Sequence, residues 1–247
     1  MKLVVLMKRL PDLVEDLEVD DSGKALDAEF LKFTLNEFDD HALEEALLLK
    51  EATGGELTVV AVDGEDVDKM LYTALAKGAD TALKISGTGE IGSTSHLARI
   101  FTQSLADRSY DLILTGVQAA DDRDGQLAPT VAAMIGAPCI EVVTGIEHEA
   151  GKLIVRKEYS GGVLAEFDVE PPAVLGIQAA RQTPRYAPVS KVRQVQESAT
   201  LETVTLAADT GKSFDIIRMT PPETGAGAEM LGGVDELVKV MESKGVL

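Results

Sequence analysis

Four apolar runs of strand length punctuate the first half of the chain: KLVVLM at 2–7, ELTVVAV at 56–62, TALKI at 81–85 and DLILT at 111–115. Each is nearly continuous rather than alternating, which predicts strands buried on both faces and hence a parallel sheet covered by helices on either side. The intervening segments carry helical spacing. Residues 37–53, EFDDHALEEALLLKEAT, place Phe38, Ala42, Ala46 and Leu49 on one face, crowd acidic residues where the helix dipole favours them, and stop at Gly54-Gly55. Residues 66–77 repeat the pattern with Met70, Ala74 and Ala76. Residues 93–108 begin on hydroxyl caps and turn Leu97, Ile100, Phe101 and Leu105 inward. A fourth helix is expected within GQLAPTVAAMIGAP, 125–138. The fold class is α/β: a doubly wound, mostly parallel sheet.

After Pro138 the pattern changes. Residues 139–177 alternate, turn at EAGK and SGG and show no helix-length periodicity, so they read as antiparallel strands added to the sheet. Beyond residue 182 the chain has too few apolar residues for a core of its own. The expected division is a nucleotide-binding α/β domain over 1–182 and an arm over 183–247, which must pack on the main domain or another chain for its ordering entropy to be offset by burial. It is read as an arm that embraces a partner.

Composition narrows the function classes. A formal charge of −19 and the absence of a Lys/Arg cluster exclude a nucleic-acid partner. The single cysteine, Cys139, excludes an internal disulfide and a cysteine metal cage, reads as a buried small hydrophobe, and fits a reducing cytoplasm. Nowhere do 18 apolar residues run unbroken, so no membrane insertion is expected. His41, His96 and His148 lack metal-ligand spacing and are read as surface or helix-face residues. GTGEIG at 87–92 matches G-x-G-x-x-G but follows the third strand and precedes hydroxyl caps, so it is read as a connection. YSGGVL at 159–164 is read as a hairpin turn.

The remaining candidate is the segment at 116–130. It leaves the carboxyl end of the fourth strand and feeds a helix, a place where free N–H groups and a dipole bind phosphate without lysine. Gly125 permits close backbone approach. Asp121 and Asp122 are suited to accept from ribose hydroxyls or an adenine amino group, Asp124 to cap the helix, and Arg123 to balance the charge. On these residues alone, an acidic helix start on a solvated loop is the competing reading.

Several motifs, in order along nearly the whole chain, resemble the β-subunit family of electron transfer flavoproteins: VVLMKRLPD at 4–12, LNEFDDHALEEALLLKE at 35–51, TALAKGAD at 73–80, GVQAADDRDGQLAP at 116–129, PRYAP at 184–188, and the C-terminal PPETGAG and VDELVKVMESKGVL. The resemblance implies a Rossmann-like domain of the adenine-nucleotide-binding type, in heterodimer with an α subunit that holds the redox FAD. It implies AMP in this subunit, or a second FAD in electron-bifurcating members, and electron transfer from flavin dehydrogenases to a quinone reductase or other acceptor rather than substrate turnover. The family's nucleotide-contacting stretches fall on Leu6; on Asn36, Glu37, Phe38 and Asp39; near Asp63; and on Gly116, Val117, Gln118, Ala119, Asp121, Asp122, Arg123, Asp124, Gly125, Gln126 and Leu127, with Thr130 beyond. Phe38 and Leu13 match positions that approach the shared flavin.

This chain departs from the family at the turn. Where AMP-binding members carry an Asp-Asp-Asp-Cys-Asn-Gln-Thr-like run, it reads Asp121-Asp122-Arg123-Asp124-Gly125-Gln126-Leu127, and Leu127 removes a hydroxyl expected to face phosphate. Gln126-Leu127-Ala128-Pro129 and Pro11 are instead similar to bifurcating members, so AMP leads and a second FAD stays open. The docking leucine of the family's partner-recognition loop corresponds to Leu201 or Leu206. A stand-alone adenine-nucleotide sensor is the alternative in another class, and the long C-terminal arm tells against it.

Overall fold

The computed structural model describes the chain apart from residues 15–16, 28, 30, 123, 150–151, 209–214, 222–224 and 226, so the position of Arg123 lies outside the described residues. In chain order the elements are β1 (Lys2–Met7), β2 (Arg9–Pro11), β3 (Phe33–Leu35), α1 (Glu37–Thr53), β4 (Glu56–Val62), α2 (Val67–Lys77), β5 (Thr81–Ser86), α3 (Thr94–Ser104), β6 (Leu112–Gly116), α4 (Leu127–Ile135), β7 (Cys139–Glu149), β8 (Lys152–Tyr159), β9 (Val163–Val169), β10 (Ala173–Ile177), α5 (Val189–Ser198), β11 (Glu202–Thr205) and α6 (Val234–Ser243). A single 3-10 turn, Ser160–Gly162, joins β8 to β9, as expected of YSGGVL.

One nine-stranded sheet runs in the order β11-β5-β4-β1-β6-β10-β7-β8-β9. The strands from β11 to β7 pair parallel, and β8 and β9 extend the sheet antiparallel. The continuous apolar strands have the explanation their sequence demands: alternate residues enter opposite cores. Leu3, Val5 and Met7 face a cluster with α1 and α2, whereas Val4 and Leu6 face one with α3 and α4. The winding reverses between β1 and β6. At such a reversal the two flanking connections leave for opposite faces, opening a crevice outside the carboxyl ends of the strands.

α3 stops at Ser104, four residues short of the expected end, and Arg108 N–H instead closes a turn on Leu105 O at 3.0 Å; α5 has no counterpart among the expected helices. The expected arm is divided. Residues 178–187 cross α1 as a strap held by buried acids: Glu45 accepts from Ile146 N–H at 2.7 Å, Arg181 N–H at 2.9 Å and Arg181 Nε at 2.7 Å, and Glu44 takes Arg185 N–H at 2.8 Å and its guanidinium Nη2 at 2.8 Å. His41 Nδ1 accepts from Ala180 N–H at 3.2 Å. Beyond the strap α5 packs on α2, and β11 joins the sheet edge beside β5. This place at the sheet edge is what a four-residue strand, ETVT, could not signal by itself. Leu201 and Leu206, expected as docking leucines, pack inward against the two cores. At the end of the arm α6 has no buried residue, and Val234, Leu237 and Val238 on it are exposed.

Candidate functional site

The two strand ends at the crevice are tied by one side chain. Asp39, in the first turn of α1, is 3% exposed; its Oδ2 accepts Lys8 N–H at 2.9 Å and its Oδ1 accepts Gly116 N–H at 2.8 Å. Burial pushes its carboxyl up to about 7, against the pull of those two N–H groups, Asn36 and Lys8. Asn36 Nδ2 donates to Gln118 O at 2.9 Å, adding a second tie between the start of α1 and the loop after β6. Gly116 must be glycine: a Cβ there would come within 2.6 Å of both Asp39 Oδ1 and Phe38 Cβ.

The acidic turn is braced by its own carboxylates. Asp122 accepts from Ala119 N–H at 3.0 Å and Gly125 N–H at 3.3 Å, and burial raises its pKa. Asp124 Oδ1 accepts from Thr94 Oγ1 at 2.9 Å and from Gln126 N–H at 3.1 Å, so it links α3 to the approach of α4. The helix cap position belongs to Gln126, which corrects the expectation for Asp124. Asp121 pairs with Lys8 Nζ at 2.7 Å. Gly125 has φ +56°, a left-handed conformation, and a Cβ there would face Gln118 Cβ at 3.3 Å rather than open space, so substitution strains the turn itself.

Several expected ligand groups are turned elsewhere. Leu6 is fully buried and Leu127 is 8% exposed, both within the core shared by α3 and α4. The Asp39 carboxylate accepts from two backbone N–H groups. Val117 N–H bonds Ile177 O, and Thr130 N–H bonds Gln126 O within α4. Glu37 and Gln118 are exposed, and Phe38 is half-buried against Gly116.

A cavity of about 910 Å³ opens at the carboxyl ends of β1 and β4. That volume lies in the upper part of the range for small-molecule sites, about 300–1,000 Å³. Of the sequence-derived candidates, Asp63, Asp121 and Asp122 line it. The remainder of the lining was missed: Lys8, Arg9 and Phe33 on one side, and Glu90, Ile91, Gly92, Ser93 and Thr94 on another. The helix whose start opens into the cavity is therefore α3 as well as the turn before α4. Its signal was present in GTGEIGSTS, where the glycine loop meets the caps: Ser93 Oγ accepts His96 N–H at 3.2 Å, leaving the N–H groups of Thr94 and Ser95 without an acceptor among the described residues. The Arg9 side chain is only 7% exposed, with Nη2 on Phe33 O at 2.8 Å and Nη1 buried without a partner.

A family model described as the electron transfer flavoprotein domain matches residues 26–213. The chain is 34% identical to the electron transfer flavoprotein subunit beta of Methylophilus methylotrophus, over 96% of this chain and 94% of that one. The chain belongs to the electron transfer flavoprotein beta-subunit family. It is also 31% identical to the subunit beta of Bacillus subtilis, over 98% of this chain and 96% of that one. Beta subunits of this family are non-catalytic electron-transfer proteins associated with flavin or nucleotide cofactors, and the mixed sheet flanked by helices is the family's Rossmann-like fold.

The cavity fits a nucleotide on its own chemistry. Arg9 Nη1 and the first N–H groups of α3 are unused donors suited to phosphate, and the carboxylates of Asp63 and Asp121 are acceptors suited to ribose hydroxyls. Among the described residues no group of His, Cys, Asp and Glu is arranged to hold a metal ion. Among the described residues no helix is long and apolar enough to cross a membrane. Cys139 is a half-buried free thiol whose burial pushes it up to about 12, which leaves it an inert packing residue beside the α4 core.

Proposed function

We propose that this chain is one half of a heterodimeric, cytoplasmic electron carrier, that it holds AMP in the cavity at the carboxyl ends of β1 and β4, beside the turn that follows β6, and that it walls an FAD carried by an α subunit. Electrons would come from flavin dehydrogenases and leave to a quinone reductase or another acceptor. The observation that carries the nucleotide part is the cavity at the strand ends, with unused donors at Arg9 and at the start of α3. The turn at 116–127 forms its other wall through Asp121 and Asp122.

The partner reading is supported by what stays uncovered. The exposed apolar face of α6, together with Leu13 at 62% exposure, is surface that a lone sensor would not keep. With Leu201 and Leu206 turned inward, the exposed apolar side chains of the strap and α5 are Tyr186 and Val189. A second FAD in place of AMP is favoured by one feature, the extent of the cavity beyond the turn as far as Phe33 and Ile216.

Purification with the co-expressed α subunit, followed by nucleotide extraction and a flavin count per heterodimer, tests both readings. One FAD and one AMP is the expected result; two flavins without AMP replaces AMP by FAD, and a monomer that captures no flavin-bearing subunit sinks the heterodimer. Arg9→Met, which removes the guanidinium that lies over the Phe33 ring and 3.6 Å from Asp66 together with its donors, is expected to weaken AMP binding about tenfold, one charge-assisted hydrogen bond, in equilibrium titration. Unchanged affinity would take Arg9 out of the site.

A further inference from the structure

One acidic group at the crevice is buried, unlike Asp63 and Asp121, which line the cavity and are exposed. Asp39 sits beneath the floor, where each carboxylate oxygen takes one N–H: Lys8 from the end of β1 and Gly116 from the end of β6. These strands are neighbours in the sheet, and their ends are the two sides of the crevice. Asp39 is thus the one side chain among the described residues that bonds to both backbones at once.

We propose that Asp39 is a positioning residue for nucleotide binding, and that proton uptake by its carboxyl unties one side of the crevice, so that proton release and nucleotide binding are linked. This rests on the nucleotide reading above. The argument is one of acceptors. An ionised carboxylate offers a full acceptor to both N–H groups; a neutral carboxyl turns one oxygen into a hydroxyl, a weaker acceptor whose own proton also needs a partner, so one of the two ties is weakened in a buried place. No slack exists to swing the group away, because the Gly116 Cα side is already closed by Asp39 and the Phe38 backbone.

The charged surroundings do not override this. From the β1 side comes Lys8, whose ammonium is held by Asp121 of the turn at 2.7 Å. From β6 comes only the N–H of Gly116. On α1 itself Asp40 is paired with Lys77 of α2, His41 accepts from Ala180 N–H, and Glu37 points to solvent. Asn36 and Lys8 both favour the ionised form of the Asp39 carboxylate, while burial opposes it and holds the carboxyl at about 7. The sign follows. Because the folded value lies above the ordinary carboxylate value, this group's contribution to global stability is full below about pH 4 and is lost as pH rises through about 7. Ordering of the crevice runs the other way, rising with pH. A residue that only supported the fold would not produce opposite trends.

The test uses the full chain freed of nucleotide. In amide NMR spectra between pH 5.5 and 8.5, the Lys8 and Gly116 resonances are expected to move together with one midpoint near 7, and to stay still in Asp39→Asn. AMP titrations over the same range are expected to weaken about tenfold from pH 8 to pH 6 in the wild type, relative to Asp39→Asn, as one linked proton requires. Taking the ratio to the variant cancels the phosphate's own titration. Amides that do not titrate, or an affinity ratio that is flat with pH, overturns the proposal. Titrating amides with no AMP binding at any pH overturns the nucleotide reading and the linkage with it, a result distinct from either of the others.

Discussion

Glu45→Ala is expected to destabilise the chain by about 4 kcal/mol, read as a fall in the midpoint of urea denaturation. The Glu45 side chain is fully buried, and three donors converge on it: Ile146 N–H from β7, and the N–H and Nε of Arg181 from the strap. Alanine would leave all three without an acceptor, and the guanidinium would lose its ion pair. The effect extends beyond α1, since the same carboxylate fixes the strap that delivers α5 and β11 to the sheet. Loss of protection in β11 ahead of the core strands, seen by hydrogen exchange, is part of the expected result. A change below about 1 kcal/mol would mean that the strap is held by Glu44 and Arg185 alone.

Gly116→Val is expected to cost about 3 kcal/mol and to abolish nucleotide binding, the first measured by denaturation and the second by AMP titration. Its Cβ would meet Asp39 Oδ1 and Phe38 Cβ at 2.6 Å, distances at which backbone must move. The movement is directed. Either α1 lifts from the sheet, breaking the Asp39 ties to Lys8 and Gly116, or the loop after β6 shifts and Asn36 releases Gln118 O. Both routes deform the crevice. A well-folded variant that binds AMP with wild-type affinity would separate the crevice from the nucleotide site.

The sheet was readable because its signal is local and repeated. Six- and seven-residue apolar runs such as 2–7 and 56–62 have one structural solution when helices of regular spacing separate them, and α1 over 37–53 has its limits written in its acidic start and Gly54-Gly55. The short elements were not readable. β2 and β3 are three residues each and pair across more than twenty intervening residues, and β11 is recognisable only by the sheet edge it joins. Turn chemistry was half legible. Ser93 announced a helix start, yet only its position beside Arg9 and Asp121 made it part of a cavity.

The turn at 116–127 shows where the division falls. Sequence by itself determined that a glycine and acid-rich turn follows the fourth parallel strand, because strand order and helix caps follow from patterns a few residues long. Tertiary structure alone decided which of its carboxylates line the cavity. Asp121 lines the cavity, Asp122 lines it while bracing the turn, Asp124 is drawn to Thr94 of α3, and Asp39, from a distant helix, holds the floor. An aspartate accepts equally well from a ribose hydroxyl or a backbone N–H, so its role depends on which donor the packed chain brings within about 3 Å.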